Sequence, residues 1–520
     1  MIALVGVRIE KRKAPDGSRL MNIEHIKSAL PSLLSISVVA VFLAWPAWFN
    51  GYPILFVDSA HYLLQGRTGE IPWDKTAAYG LFLTLLHGSF SLWIPVLVQA
   101  LLLSHMLWLV QRVACGAVTP WRHLLLCGAV AALTSAPWFV ALLMPDHFAP
   151  ILVLCLFLLG FGEARLAPWE RAWAGCIATL AILVHLSHLP LALALLVLVV
   201  MLRRRMGPVL RCAAPLLVAL LILIGTNWLT LGRATLSPHG AVFLLARFQE
   251  DGSAVRSLRE RCPSAGWYLC DFIGEMPMDT DRFLWNPHSP ANQDAQGRPR
   301  ADGLVRLAPE AAEIVAATLR DRPAEVARDV LMNGTAQIFR TRLRDTFGVA
   351  DLGGIADQVL RPGFPPRETA AFLASAQMRG GLEALPLGWL HQMVLWLAAA
   401  VILAGWWRLA RVAPQQRDLP RLGLVIFVLV GVMGNAFATG PLSKPHDRYQ
   451  SRIAWLLPLG AMIAFWPVTA RLDAQRDGIR PAPARPSHYR VRRLPPPAEP
   501  VLTHLRPLPA GRRSRSRAIP

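Results

Sequence analysis

The chain alternates between long apolar stretches and short charged ones. Its uncharged windows are apolar throughout, and as helices most are long enough to cross about 30 Å of hydrocarbon. Windows that lack Asp, Glu, Lys and Arg cover residues 28–57, 76–111, 123–145, 172–202, 212–232, 384–407, 422–443 and 453–470, with a shorter one at 147–162. This pattern predicts an all-α, polytopic membrane protein that has the lipid bilayer as a partner.

The composition supports this prediction. Of the 520 residues, 54% are apolar and only 17% are charged, and the mean hydropathy is +0.39. Such a balance excludes a soluble enzyme, a nucleic-acid-binding domain and a secreted disulfide scaffold. We therefore expect no nucleic acid among the partners of this chain.

The net charge of +20 becomes a topology signal once it is divided among the loops. Loops assigned to one side carry +21 in total and those on the other carry −1, as the positive-inside rule requires. This predicts about ten spans, with both termini cytoplasmic. The count requires two short passes in the window 172–202, broken at residues 185–190. Whether that window holds one span or two is open at this point.

The windows and charges divide the chain into five parts. The predicted parts are a basic cytoplasmic N-terminus (1–27), helices 1–7 with a first periplasmic loop at 58–92 (28–232), a periplasmic segment (233–383), helices 8–10 (384–470) and a basic cytoplasmic tail (471–520). Within the periplasmic segment, helical patterns begin at Pro309, Pro323 and Pro366, which favours a helical cap on the outer membrane surface. The tail has 12 Arg and 10 Pro, and this composition predicts disorder.

Two of the seven cysteines, Cys262 and Cys270, fall in the periplasmic segment, whereas the other five lie in or near spans. An oxidising compartment would join such a pair in a disulfide. Two unpaired thiols are the alternative.

Ionisable residues near the ends of spans are costly and tend to face a cavity. Asp58 follows the first window, in the stretch Asp58-Ser-Ala-His-Tyr62. Its spacing fits an N-cap aspartate and a functional carboxylate equally well. Late in the chain, Lys444, Arg448 and Arg452 place three cations within nine residues on the side that is poor in positive charge. Interfacial anchoring by snorkelling is the alternative for these cations.

These two stretches resemble motifs of the GT-C class of membrane glycosyltransferases, the superfamily of protein O-mannosyltransferases and aminoarabinose transferases. Asp58-Ser-Ala-His-Tyr62 is similar to the acidic first-loop motif of that class. Lys444-Pro-His-Asp-Arg448-Tyr449, followed by Trp455-Leu-Leu-Pro458, is similar to an Arg-Tyr...Pro segment late in some members. The typical first-loop motif has two adjacent acids, whereas Ser59 follows Asp58 here. The sequence therefore does not support a divalent metal, and it identifies no cofactor.

The resemblance implies a bacterial inner membrane as the location, and transfer of a sugar from a polyprenyl-phosphate-linked donor to a periplasmic glycan, lipid or protein. Asp58 would be the catalytic base. Arg448, helped by Lys444 and Arg452, would hold the leaving phosphate. Tyr62 and Tyr449, which end the two motifs, are further candidates for substrate binding. A non-catalytic membrane subunit or a transporter of envelope precursors is the alternative.

Asp146 and His188 are two more candidate substrate contacts. Asp146 follows a proline at the end of a span, where a turn and cap is the more common role. His188 stands three residues after His185 in the predicted helix break. Two histidines without a third ligand are weak evidence for a metal, and internal hydrogen bonding is the more common role. No metal site is predicted.

Overall fold

The computed structural model describes residues 17–343, 346–349, 352–385, 387–410 and 419–466. Every regular element within these ranges is a helix, which confirms the all-α prediction. Isolated backbone bridges, such as the one between Ile54 and Leu142, do not extend into strands in this part of the chain. The tail 471–520, with its predicted disorder, lies outside the described residues.

Helices α1 to α11 precede the large segment, α12 to α19 lie within it, and α20 to α23 follow it. In chain order they are α1 (Gly17–Leu43), α2 (Trp45–Asn50), α3 (Val57–Thr68), α4 (Ala77–His87), α5 (Trp93–Cys115), α6 (Pro120–Leu133), α7 (Ala136–Ala141), α8 (Phe148–Phe161), α9 (Pro168–Leu183), α10 (His188–Arg203), α11 (Met206–Leu231), α12 (Gly240–Glu250), α13 (Ser253–Ala265), α14 (Thr280–Trp285), α15 (Gly303–Asp321), α16 (Pro323–Ile338), α17 (Gly353–Ile355), α18 (Arg361–Gly363), α19 (Pro366–Leu373), α20 (Leu387–Ala410), α21 (Leu419–Thr439), α22 (Asp447–Ala454) and α23 (Leu456–Phe465).

Among the described residues, four helices are long and apolar enough to span a membrane: α5, α11, α21 and, within α20, Gly388–Gly405. Shorter apolar helices accompany them, over Leu30–Leu43, Ala77–His87, Pro145–Phe161 and His188–Arg203. The count of ten spans stays a prediction, because several predicted windows contain broken helices. The window 123–145, for example, divides into α6 and α7 at Thr134 and Ser135.

The window 172–202 is also divided. Helix α9 ends at Leu183 and α10 begins at His188, so the break coincides with the polar residues between them. Each helix has 16 residues, about 24 Å of length, and so is shorter than a full span of about 30 Å. The break places His185 and Ser187 between two apolar helix ends.

The segment 233–383 contributes to two hydrophobic cores. Residues between Val242 and Val326 enclose a hydrophobic core of their own. Leu343, Phe372 and Leu382 instead belong to the core of the membrane helices. Phe347 packs on Trp138 of α7 and Phe372 on Tyr52, so this stretch packs with the apolar helices that precede the segment.

Hydrogen bonds hold this later stretch to the exit of the first span. The Gln377 amide bonds the backbone of Leu55 in both directions, at 3.2 Å from Leu55 N and 2.7 Å to Leu55 O. The Tyr52 hydroxyl donates to Glu368 at 2.9 Å. Both contacts are buried, so they fix the extended chain that leads from α2 into α3.

Two local predictions in this segment have distinct outcomes. Helix α15 begins at Gly303, six residues before the predicted start, and Pro309 lies inside it. The apolar stripe extends back to Leu304 and Leu307, and burial of that stripe outweighs the proline. Cys262 and Cys270 are joined in a disulfide, with 5.4 Å between their Cα atoms.

Candidate functional site

The extended chain after α2 delivers Asp58 to the first turn of α3. The N-cap of this helix is Phe56, and Ser59 provides the local polar contacts. Its hydroxyl accepts from Phe56 N and donates to Leu143 O, both at 2.9 Å. Asp58 is therefore not the N-cap of α3, and its carboxylate takes no part in the contacts that start the helix.

The main partner of Asp58 is Lys75. Lys75 Nζ lies 3.1 Å from Asp58 Oδ1 and 2.5 Å from Asp74 Oδ2. The lysine side chain is only 6% exposed, whereas that of Asp58 is 29% exposed. Asp58 is thus held by a nearly buried cation while part of its surface stays open.

These neighbours set the protonation state of Asp58. Burial raises the pKa of its carboxyl group, but the charge of Lys75, the hydrogen bond with His61 and the charge of Arg448 together outweigh burial. The pKa of Asp58 therefore lies below its usual range. At neutral pH the group is a carboxylate, which is the form able to accept a proton.

Arg448 brings the loop between α21 and α22 close to the chain that leads into α3. It lies at the start of α22, and its guanidinium carbon is 4.0 Å from the centre of the Phe56 ring, two residues before Asp58. Its Nε lies 3.9 Å from Asp146 Oδ1. Arg448 therefore packs on a residue close to Asp58 in sequence, and its charge acts on the Asp58 carboxylate.

Arg452 is entirely buried, one turn further along α22. Its guanidinium lies 3.3 Å from Asp146 Oδ1, 2.9 Å from Asn435 Oδ1 and 3.2 Å from the Ser187 hydroxyl. Asn435 in turn donates to Tyr449 O at 2.6 Å. The network joins the turn before α8, the break between α9 and α10, α21 and α22.

The two tyrosine candidates lie at opposite edges of this cluster. Tyr62 is buried against Tyr79, with 5.0 Å between ring centroids, and its own ring centre is 5.7 Å from Lys75 Nζ. Tyr449 is partly exposed, and its ring centre lies 5.3 and 5.4 Å from the guanidinium carbons of Arg448 and Arg452. Both rings therefore flank cations of the site.

His188 supports the helix break. Its Nδ1 lies 2.5 Å from Ala181 O, seven residues back in α9, so the ring ties the end of one helix to the start of the next. His185 Nδ1 contacts the Ser187 hydroxyl at 2.8 Å, and that hydroxyl also meets Arg452. Within the described residues no cluster of three or more His, Cys, Asp or Glu has the arrangement of a metal site.

Lys444 pairs with acids of the segment between α11 and α20. It binds Asp279 and, at 2.9 Å, Asp281 of the outer segment. His446 Nε2 lies 3.4 Å from the same Asp281. The expectation that Lys444 joins the two arginines is therefore not met by its contacts, because the acids at the start of α14 engage it instead.

Sequence reasoning missed Lys75, Asn435 and Ser187. A usable signal existed for Lys75, since a lysine between spans on the side poor in positive charge meets the same criterion that selected Lys444. Asn435 and Ser187 carry no charge and acquire their role only from the fold.

No known protein family, no curated protein and no solved structure matches this chain.

Proposed function

We propose that the protein is a GT-C-class membrane glycosyltransferase of a bacterial inner membrane. It would transfer a sugar from a polyprenyl-phosphate-linked donor to a periplasmic glycan, lipid or protein. The observation that carries the proposal is the meeting of the first and last outer loops, where Arg448 packs on Phe56 beside Asp58. A base and a phosphate-binding cation are the two groups that this transfer requires.

The chemistry assigns one task to each group. The acceptor hydroxyl oxygen attacks the anomeric carbon, and its proton passes to the Asp58 carboxylate. The bond between the anomeric carbon and the phosphate oxygen breaks, and polyprenyl phosphate leaves with the electron pair. The growing negative charge on that phosphate is stabilised by Arg448, whose guanidinium offers several donors in one plane.

Each of the two groups lies beside an oppositely charged residue. Asp58 Oδ1 is 3.1 Å from Lys75 Nζ, and Arg448 Nε is 3.9 Å from Asp146 Oδ1. The buried contacts of Arg452 with Asp146 and Asn435 hold the helix that carries Arg448. In this proposal Arg452 is a positioning residue.

Lys75 adds a means of activating Asp58. While Lys75 holds the carboxylate, the low pKa makes it a weak base. A donor phosphate beside Arg448 provides a second anionic partner for Lys75. We expect the lysine to turn toward it, which leaves Asp58 more basic only when the donor is bound.

A transporter of lipid-linked precursors is the second candidate. It is favoured by the broken pair α9 and α10, which places His185 and His188 between two short apolar helices. Broken helices of this kind line the substrate sites of many transporters. The two proposals differ in chemistry, because transport leaves the sugar attached to its lipid.

Mass spectrometry of lipid-linked sugars and surface glycans in a deletion strain tests the proposal. A glycosyltransferase predicts accumulation of one lipid-linked sugar and loss of one modification from a glycan, lipid or protein, both restored by the wild-type gene. Redistribution of an unchanged lipid-linked sugar across the membrane would support transport instead. Identical profiles in the two strains would overturn both.

A further inference from the structure

Helix α16 exposes large apolar side chains that a surface helix in water would normally turn inward. Its buried residues are Val326, Asp329, Gly334 and Gln337. Leu331 and Met332 are 60% and 62% exposed, on the opposite face. Phe339, directly after the helix, is 58% exposed. An apolar patch of this kind marks a surface that meets an apolar partner.

Specific hydrogen bonds fix the rotation of α16 about its axis. Asn333 Nδ2 donates to Asp251 Oδ2 at 2.9 Å. Gln337 bonds the backbone of His446 in both directions, each at 2.8 Å. Rotating α16 to hide Leu331 and Met332 would break all three bonds, so the exposure of the apolar face is built into the fold.

The two faces of α16 meet two different candidate membrane spans. The buried face packs on α21 at Gly334, where the Phe437 ring occupies the space of a side chain, and the exposed face is continuous with α20. Phe339 stacks on Trp396 of α20, with 6.2 Å between ring centroids. Trp396 is itself 62% exposed and lies eight residues into the span Gly388–Gly405, about 12 Å along the helix.

Arginines stand at both ends of the apolar face. The Arg328 side chain is 65% exposed, and Arg340 is also exposed. A helix with an apolar face and basic residues beside it is the pattern of interfacial membrane helices. We propose that α16 is embedded in the bilayer surface, with Leu331, Met332 and Phe339 among lipid acyl chains and the two arginines at the phosphate head groups.

Helix α16 is connected to the candidate site through one residue, His446. Gln337 of α16 holds His446, and His446 is two residues before Arg448. The position of α16 in the lipid therefore sets the position of the loop that carries Arg448. The proposal does not depend on glycosyl transfer, since it follows from the polarity and contacts of the helix.

Spin labelling of the full chain in lipid nanodiscs tests the proposal. Labels at Leu331→Cys and Met332→Cys are introduced in a Cys176→Ser background, because the other free cysteines among the described residues are buried. The matched control is Ala316→Cys on α15, an exposed position on a helix that buries its apolar face in the outer core. Collisions with dissolved oxygen and with a water-soluble nickel chelate are measured by electron paramagnetic resonance.

Oxygen concentrates in hydrocarbon and the chelate in water. We expect the ratio of oxygen to chelate collisions at 331 and 332 to exceed that at 316 several-fold. Equal ratios at the three positions would place α16 in water and overturn the proposal. Low collision rates with both reagents at 331 and 332 would also overturn it, because they would indicate that a second copy or another protein covers this face.

Discussion

Asp58 and Asp146 both lie beside a cation near the ends of apolar helices, yet their surroundings differ. The Asp146 side chain is 3% exposed and its partner Arg452 is fully buried, with further bonds to Asn435 and Ser187. The Asp58 side chain is 29% exposed, and its partner Lys75 is shared with Asp74. The same combination of charges thus occurs once as a closed network and once as an accessible pair.

The difference separates a structural role from a chemical one. A buried charge pair is stable only when its remaining hydrogen-bonding groups are satisfied, and such a network holds its members in one arrangement. Lys75 is shared between two carboxylates and has three donors on a flexible stem, so it can hold Asp74 when Asp58 gains another partner. The Asp146 network therefore suits positioning of α22, and the Asp58 pair suits proton transfer.

The largest expected effect is on activity, from Asp58→Asn. The amide keeps the size of the side chain and cannot accept the proton, and loss of a general base lowers the rate by a factor of about 10² to 10⁴. Protein abundance should stay near normal, because Ser59 rather than Asp58 makes the local contacts that start α3. The measurement is sugar transfer by purified protein, normalised to the amount of folded protein.

The matched control for that variant is Glu70→Gln, an exposed acid in the same outer loop. It should retain wild-type transfer. Full activity in Asp58→Asn would remove the assigned base and favour the transporter or the non-catalytic subunit.

The next effect is on stability, from Arg452→Met. The substitution leaves the Asp146 carboxylate buried without its closest charged partner, and breaking a buried pair in this way costs about 3–5 kcal/mol. Thermal unfolding in detergent should show a lower Tm. The double variant with Asp146→Asn should recover much of the loss, since it removes the stranded charge. A single variant as stable as the wild type would show that the network is dispensable.

Lys75→Met sharpens the comparison through pH dependence. Lys75 is the largest influence that lowers the pKa of Asp58, so its removal should raise that pKa. The acidic limb of the kcat/KM profile, which reports the free enzyme, should move to higher pH, whereas Lys75→Arg should leave it near the wild-type position. If the acidic limb of the Lys75→Met profile stays at its wild-type pH, Asp58 is not the group whose ionisation the profile reports.

The same shift has a consequence for stability. A lowered pKa in the folded state means that the Asp58 pair stabilises the fold above about pH 3.9. This contribution is lost as the pH falls below that value through the folded-state pKa. The unfolding midpoint of Lys75→Met should accordingly depend less on pH in the acidic range than that of the wild type.

Local sequence patterns predict some parts of the candidate site and not others. Asp58 and Arg448 were identifiable because a charge at the end of an apolar window is costly and needs an explanation. The break before His188 was identifiable from polar residues and a proline within an apolar run. In each case the signal is local, so no knowledge of distant contacts is needed.

The remaining features depend on contacts between distant residues. The partners of Lys444 lie more than 160 residues away, in α14, and no pattern in the last loop points to them. The apolar spacing in α16 predicts a helix, but periodicity does not tell whether Leu331 and Met332 face a core or lipid. The role of Asn435 arises only when α21 packs beside α22.

The smallest expected effect concerns a third and more exposed contact between carboxylates and a cation, at Lys444. Hydrogen bonds from His446 and Lys444 outweigh burial and lower the pKa of Asp281 to about 2. The contact therefore stabilises the attachment of α14 above about pH 3.9, and its contribution is lost as the pH falls toward 2.

Because the Asp281 side chain is 40% exposed, we expect Asp281→Asn to cost at most about 1 kcal/mol. Hydrogen exchange of residues 279–285 should become faster in this variant at low salt, and the difference should shrink as salt is added. A loss of stability as large as that of Arg452→Met would mean that exposure does not distinguish these contacts, and the separation of the Asp58 and Asp146 roles would lose its physical basis.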